Sequence, residues 1–139
     1  LSSKFVEYFK VRVSNKIIID IKQKADNPNC FANIPLFEWV LENLCKNAID
    51  AMSGKGNLTI SIEDKNSKQI AVLISDTGTG IPKEQRHKVF SPGFTTKKRG
   101  WGLGLSLTKR IIEDYHNGKI QVKETNSEGT TFEILLDKA

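Results

Sequence analysis

A chain of 139 residues has the length of one domain and can bury roughly two-thirds of the surface its unfolded form exposes. Its 38% hydrophobic and 27% charged residues give a globular balance, and no apolar run approaches the roughly 18 residues of a membrane span, which excludes a spanning helix. Lys and Arg number 21 against 16 acidic residues, a net charge of +5, without the long basic stripe and interleaved aromatics of a nucleic-acid binder.

In chain order, Phe5, Val6, Phe9 and Val13 share one helical face and predict a short amphipathic helix over about residues 2 to 14. "KIIIDIKQK" from Lys16 predicts a strand with Ile17, Ile19 and Ile21 on one side. After the turn-rich "DNPNC", Pro35 opens a strong helix to about Met52, which "SGKGN" ends. "LTISIED" and "QIAVLISD" read as two strands joined by a polar turn, the second ending at Asp76. "TGTGIPKEQRHKVFSPGFTTKKRG" then forms a long loop with one short helix around Lys83 to Val89; loops of this length are usually functional or disordered.

A helix from about Leu103 to Tyr115 ends at "HNG", and strands at about Lys119 to Lys123 and Thr131 to Leu136 close the chain. Five strands and about three helices, with no internal repeat, predict an α/β fold: a two-layer α/β sandwich, its mixed five-stranded sheet covered by helices on one face. No signal peptide opens the chain, and Leu1 in place of Met predicts a piece of a longer protein. Cys30 and Cys45 match no metal spacing and predict a reduced, cytoplasmic compartment.

Three stretches carry chemistry. In "LENLCKNAIDAM", Asn43 and Asn47 stand four apart on one helical face. Asn is a poor helix former, so the pair either bonds to something specific, caps a neighbouring loop or faces water. In "DTGTGI", Asp76 emerges from a buried strand as an acceptor suited to an amine such as that of adenine, while Gly78 and Gly80 let the backbone pass beneath a flat ring; an ordinary Asp-Gly turn would look the same. "VFSPGFTTKKRGWGLGL" combines Phe90 and Phe94, the hydroxyls of Thr95 and Thr96, three cations including Lys97, and glycines at every second position before a helix start. Hydroxyls, cations and helix-start N–H groups together suit a triphosphate. No Walker Gly-x-x-x-x-Gly-Lys motif is present.

With these motifs in this order, the chain closely resembles the catalytic, ATP-binding domain of bacterial sensor histidine kinases. That family lies within the superfamily that includes gyrase, the ninety-kilodalton heat-shock chaperones and the mismatch-repair MutL proteins. The resemblance covers nearly the whole chain and implies the Bergerat ATP-binding fold as one domain over residues 1–139, without the dimerisation hairpin that carries the phosphoacceptor histidine. It implies ATP and Mg²⁺ as cofactors. Residue by residue, it implies that Asn47 ligates Mg²⁺ and acts catalytically, Asn43 borders the phosphates, Asp76 holds the adenine amine, and Gly78, Gly80 and Ile81 shape the purine floor. Phe90 and Phe94 match the lid anchor, Thr95, Thr96 and Lys97 face the phosphates, and Gly100, Gly102, Leu103 and Gly104 form the second glycine box.

The chain departs from the family at Asp50, where many members carry Lys or Arg; this shifts the role of phosphate cation to Lys97. Trp101 replaces a small residue, and the lid between Phe90 and Gly102 is short. Hydrolysing members place a Glu four residues before the Mg²⁺-binding Asn; here Asn43 stands there, and Glu42 is rotated by about 100° from it. The resemblance therefore implies phosphoryl transfer to a histidine on a separate hairpin, with a response regulator as indirect partner; the alternative is an ATPase module that drives conformational change. His87 and His116 lack the His-Glu/Asp setting of an acceptor. No nucleic acid and no direct membrane contact are expected, and the location is cytoplasmic, as a free protein or as the cytoplasmic part of an anchored kinase.

Overall fold

In the computed structural model, which describes residues 17–25, 33–91 and 104–138, the alternating stretches become five strands. These are β1 (Ile17–Gln23), β2 (Gly56–Asp64), β3 (Gln69–Asp76), β4 (Lys119–Asn126) and β5 (Gly129–Asp137). They pair in the order β1-β2-β3-β5-β4, with β1 parallel to β2 and the other neighbours antiparallel. Parallel pairing of β1 and β2 demands a crossover, and helix α1 (Ile34–Met52) lies within it. Asn33 caps α1, its Oδ1 accepting the Leu36 N–H at 3.1 Å, and Pro35 sits in the first turn, where its missing N–H costs nothing. Ser53 closes the helix in a left-handed conformation, φ 53°.

Register decides which side chains meet the helices. Leu58, Ile60, Val72, Ile74, Phe132, Ile134, Ile120 and Val122 stand opposite one another across the strands and are all buried. Val40, Leu41, Leu44, Cys45 and Ala48 of α1 pack onto them, together with Ile111 and Ile112. The other sheet face carries Ser61, Ser75, Thr131, Gln121 and Glu133, so the described helices cover one face, as the alternation predicts. Glu133 is buried there; its Oε1 accepts from Gln121 Nε2 at 2.7 Å and its Oε2 faces Lys65 Nζ at 3.4 Å.

Three differences from the sequence reading have physical causes. The segment from Lys83 is not a helix to Val89 but a 3-10 turn, Lys83–Gln85, followed by further turns. Its bonds all close over three residues, Gln85 N to Pro82 O, Lys88 N to Gln85 O and Ser91 N to Lys88 O. Arg86 meanwhile turns away to bond the Val122 and Lys123 carbonyls. Helix α2 (Gly104–Arg110) passes into a π-helical turn, Ile111–Tyr115, rather than continuing as α-helix. There His116, itself buried, engages the Ile111 carbonyl with Nδ1 at 3.0 Å and accepts the Asn33 N–H on Nε2 at 2.9 Å. Strands β4 and β5 also extend until a two-residue turn joins them, with a bulge between Val122 and Glu124. The helix expected over residues 2 to 14 lies outside the described residues.

Candidate functional site

A cavity of about 300 Å³ opens where α1, the segment after β3, α2 and the β4–β5 hairpin converge. Helix α1 contributes Asn47, Ala48, Asp50 and Ala51; Asp76, Thr79, Gly80, Ile81 and Pro82 follow β3; Gln85 and Val89 come from the turns, Leu105 from α2, and Thr130 and Phe132 from β5. The wall is largely apolar with a few convergent oxygens, the usual make-up of a small-molecule site. Among the described residues no group of three or more His, Cys, Asp or Glu side chains stands together to hold a metal. The oxygen donors at the cavity include Asn47, Asp50 and Asp76.

Asp76 ends β3 half-buried in the cavity wall. Its Oδ1 accepts the Gly78 N–H at 2.8 Å and the Thr130 N–H at 3.3 Å. Among the described residues its hydrogen bonds all fall on Oδ1, which leaves Oδ2 for a ligand. Burial pushes the carboxyl above its ordinary range, and the two amide donors oppose that rise.

The loop after Asp76 is clamped from two sides. Gly80 adopts φ +81°, and a Cβ there would run into the Asn126 carbonyl; Gly129 adopts φ +148°, and a Cβ there would run into the Asp76 carbonyl. Only glycine serves at both close approaches. Gly78 packs against the Ala51 carbonyl of α1. Thr125 then ties the hairpin to the loop: its Oγ1 accepts the Ile81 N–H at 2.7 Å and pairs with Thr130 Oγ1 at 2.9 Å. Phe90 meets Phe132 edge to face at 6.0 Å, with Lys109 Nζ 5.9 Å from the Phe90 ring centre.

Of the residues singled out in the sequence, Asn47, Asp76, Gly80 and Ile81 are brought together on this wall. Gly78 and Phe90 brace it from behind, and Gly104 begins α2. Asn43 does not line the cavity: it is buried and donates through Nδ2 to Thr108 Oγ1 at 3.0 Å, because the α1 face it shares with Asn47 turns toward α2 at that level. Phe94, Thr95, Thr96, Lys97, Gly100, Gly102 and Leu103 lie outside the described residues. Sequence reasoning missed Thr130, Phe132 and Leu105. The signal for the first two was "SEGTTF", a glycine directly ahead of an alternating strand, which positions a hydroxyl at a strand mouth.

The chain belongs to the histidine kinase-, DNA gyrase B-, and HSP90-like ATPase family, whose profile matches residues 32–139. The adaptive-response sensory kinase SasA of Crocosphaera subtropica is 36% identical over 143 residues, covering 98% of this chain and 37% of that protein. The signal transduction histidine-protein kinase AtoS of Escherichia coli is 40% identical over 105 residues, 76% of this chain and 17% of its own length. The chain thus spans little more than a third of the first of these relatives and less of the second. Among solved structures, the catalytic domain of histidine kinase ThkA superposes with a TM-score of 0.81 at 34% identity, over 97% of this chain and 87% of that one. ThkA in complex with the response regulator TrrA gives 0.82 at 31% identity, over 98% of this chain and 39% of that one. The fold and the family are those of the ATP-binding catalytic domains of histidine kinases.

Proposed function

We propose that the chain binds Mg²⁺·ATP in this cavity and donates the γ-phosphoryl group to a histidine on a separate dimerisation hairpin, from which a response regulator is served. The observation that carries the reading is Asp76: a half-buried carboxylate at the end of β3 whose Oδ1 is held by two backbone amides, in the same wall as Asn47. In this reading Asp76 accepts the adenine amine over a floor made by Gly78, Gly80 and Ile81. Mg²⁺ prefers oxygen ligands and keeps several waters. The amide oxygen of Asn47 fits as a single protein donor, the other ligands being phosphate oxygens and water. When bound, the ion neutralises charge on the phosphates. Lys97 supplies the further cation, Thr95 and Thr96 the hydroxyls, and Gly100, Gly102, Leu103 and Gly104 a close backbone approach, while Phe90 and Phe94 anchor the segment between.

Transfer is favoured over hydrolysis by the side chains one turn before Asn47. A general base must reach its proton at about 3 Å. Asn43 has no basic group, and Glu42 is engaged in a pair with Lys46 at 3.2 Å. The likeness to ThkA, solved with a response regulator, supports a two-component setting in the cytoplasm. The test is γ-labelled ATP with the dimerisation hairpin of the parent kinase added in trans. Acid-labile label on the hairpin, dependent on Asn47, is expected, slow because the tether that raises effective concentration is missing. Brisk phosphate release by the chain alone, with an unlabelled hairpin, would favour the ATPase alternative.

A further inference from the structure

The buried contact between the two helices that flank the cavity is polar. Asn43 Nδ2 donates to Thr108 Oγ1 at 3.0 Å in a core otherwise made of Leu41, Leu44, Ile111 and Ile112. Thr108 is fully buried and Asn43 nearly so. Such a pair adds little net stability over apolar groups of the same shape, but it fixes geometry, because sliding the helices strands a buried polar group. Its location matters more. Asn43 lies four residues before Asn47 on α1, and Thr108 three after Leu105 on α2; both Asn47 and Leu105 line the cavity. Residues three and four apart are neighbours on a helix face. The bond therefore stands one turn behind a wall residue on each helix. The second polar tie, His116 to the Asn33 N–H, lies at the opposite end of α1 from Met52 and cannot set the cavity end.

We propose that Thr108 is a positioning residue of the cavity: its hydroxyl, bonded to Asn43, sets the spacing and register of α1 and α2 and so fixes where Asn47 and Leu105 stand. This rests on the reading of the cavity as a Mg²⁺·ATP site. Through Asn47, the positioning acts chiefly on the metal-dependent part of ATP binding.

Thr108→Val keeps the shape and removes the hydroxyl, whereas Thr108→Ser keeps it. Calorimetric titration of the 139-residue chain with Mg²⁺·ATP, ATP in EDTA and adenosine, well below each melting midpoint, separates the possibilities. Thr108→Val is expected to lose about tenfold in Mg²⁺·ATP affinity and less than about twofold for adenosine, with Thr108→Ser within about twofold of wild type on both. Wild-type affinity in Thr108→Val, an equal loss in Thr108→Ser, or an equal loss for adenosine would each overturn the proposal. If Thr108→Val does not fold, the Asn43→Leu/Thr108→Val pair replaces both partners with apolar groups and carries the same expectation. Failure of the wild-type chain to bind any nucleotide is a separate outcome, and overturns the reading of the cavity itself.

Discussion

The Thr130 amide donates to Asp76 Oδ1 at 3.3 Å across 54 residues of sequence, so the end of β3 and the start of β5 share one carboxylate oxygen. With Gly78 N–H on the same atom at 2.8 Å, the scaffold uses Oδ1 and a ligand meets Oδ2. Asp76→Asn retains an oxygen for both amides and replaces the other with an amine, which cannot accept. A hydrogen bond to a charged group is worth about 1.5–3 kcal/mol, so ATP and ADP should both weaken by roughly tenfold to a hundredfold. Unchanged ATP affinity in this variant would remove Asp76 from the adenine site.

The same carboxyl gives a stability test without nucleotide. Burial raises its pKa above the ordinary Asp range, the amides of Gly78 and Thr130 opposing. The folded chain then holds this proton more tightly than the unfolded chain, and Asp76's contribution to stability falls as pH rises through the raised value. Asp76→Asn has no such loss. Its melting temperature minus that of wild type should widen from about pH 3.5 toward about pH 7. A difference flat over that range would contradict the assignment.

Asn47→Ala should separate metal from base. ATP affinity of the wild type is expected to rise on adding Mg²⁺, and that rise should vanish in the variant while adenosine affinity stays put, since the metal contacts phosphates. Equal Mg²⁺ dependence in the two proteins would exclude Asn47 as a ligand.

Arg86 fastens the turns below the cavity to edge strand β4. Its Nη2 donates to the Val122 and Lys123 carbonyls at 2.6 and 2.7 Å, at the bulge that leaves these groups without regular ladder partners. Arg86→Ala should destabilise by about 1–3 kcal/mol, read as roughly 4 °C of melting temperature per kcal/mol. Lysine is a point donor without the planar fork, so Arg86→Lys should recover only part of this. Full recovery by lysine would mean that charge alone matters.

Cys45 lies under α1 with no exposed surface, and burial, followed by the nearby Glu42 charge, pushes its thiol up to about 12. In a Cys30→Ser background it should resist alkylation at neutral pH until the chain unfolds, because the thiolate is the reactive species. Labelling at the rate of a free thiol in the folded protein would show that α1 opens locally.

The strands were legible because one face of each is buried: Ile17, Ile19 and Ile21 declare their side by period alone. Helix α1 was legible from its cap and Pro35, though the cap is Asn33 and the first helical residue is Ile34. Illegible were the places where a distant group decides the backbone. Nothing near Gln85 foretells that Arg86 will leave for β4, and nothing near Ile111 foretells His116 bonding to Asn33. At the site, Asp76 and Gly80 were visible through local turn chemistry. Thr130 was hidden because its partner is far away in sequence, and Asn43 was read toward the ligand because helical spacing gives a face but not the neighbour it meets.

The π-helical turn at Ile111–Tyr115 makes α2 a place where the number of residues matters more than their identity. A π turn holds one residue more than the α-helix it interrupts. Deleting any one of these five would let the helix run on regularly and swing everything beyond it by about 100° relative to Thr108. His116 would then leave Asn33, and Gly118 would lose its bond to the Ile112 carbonyl just before β4 begins. Substitutions at the exposed Glu113, Asp114 and Tyr115 leave that count intact, so this stretch should tolerate changes of letter and reject changes of length.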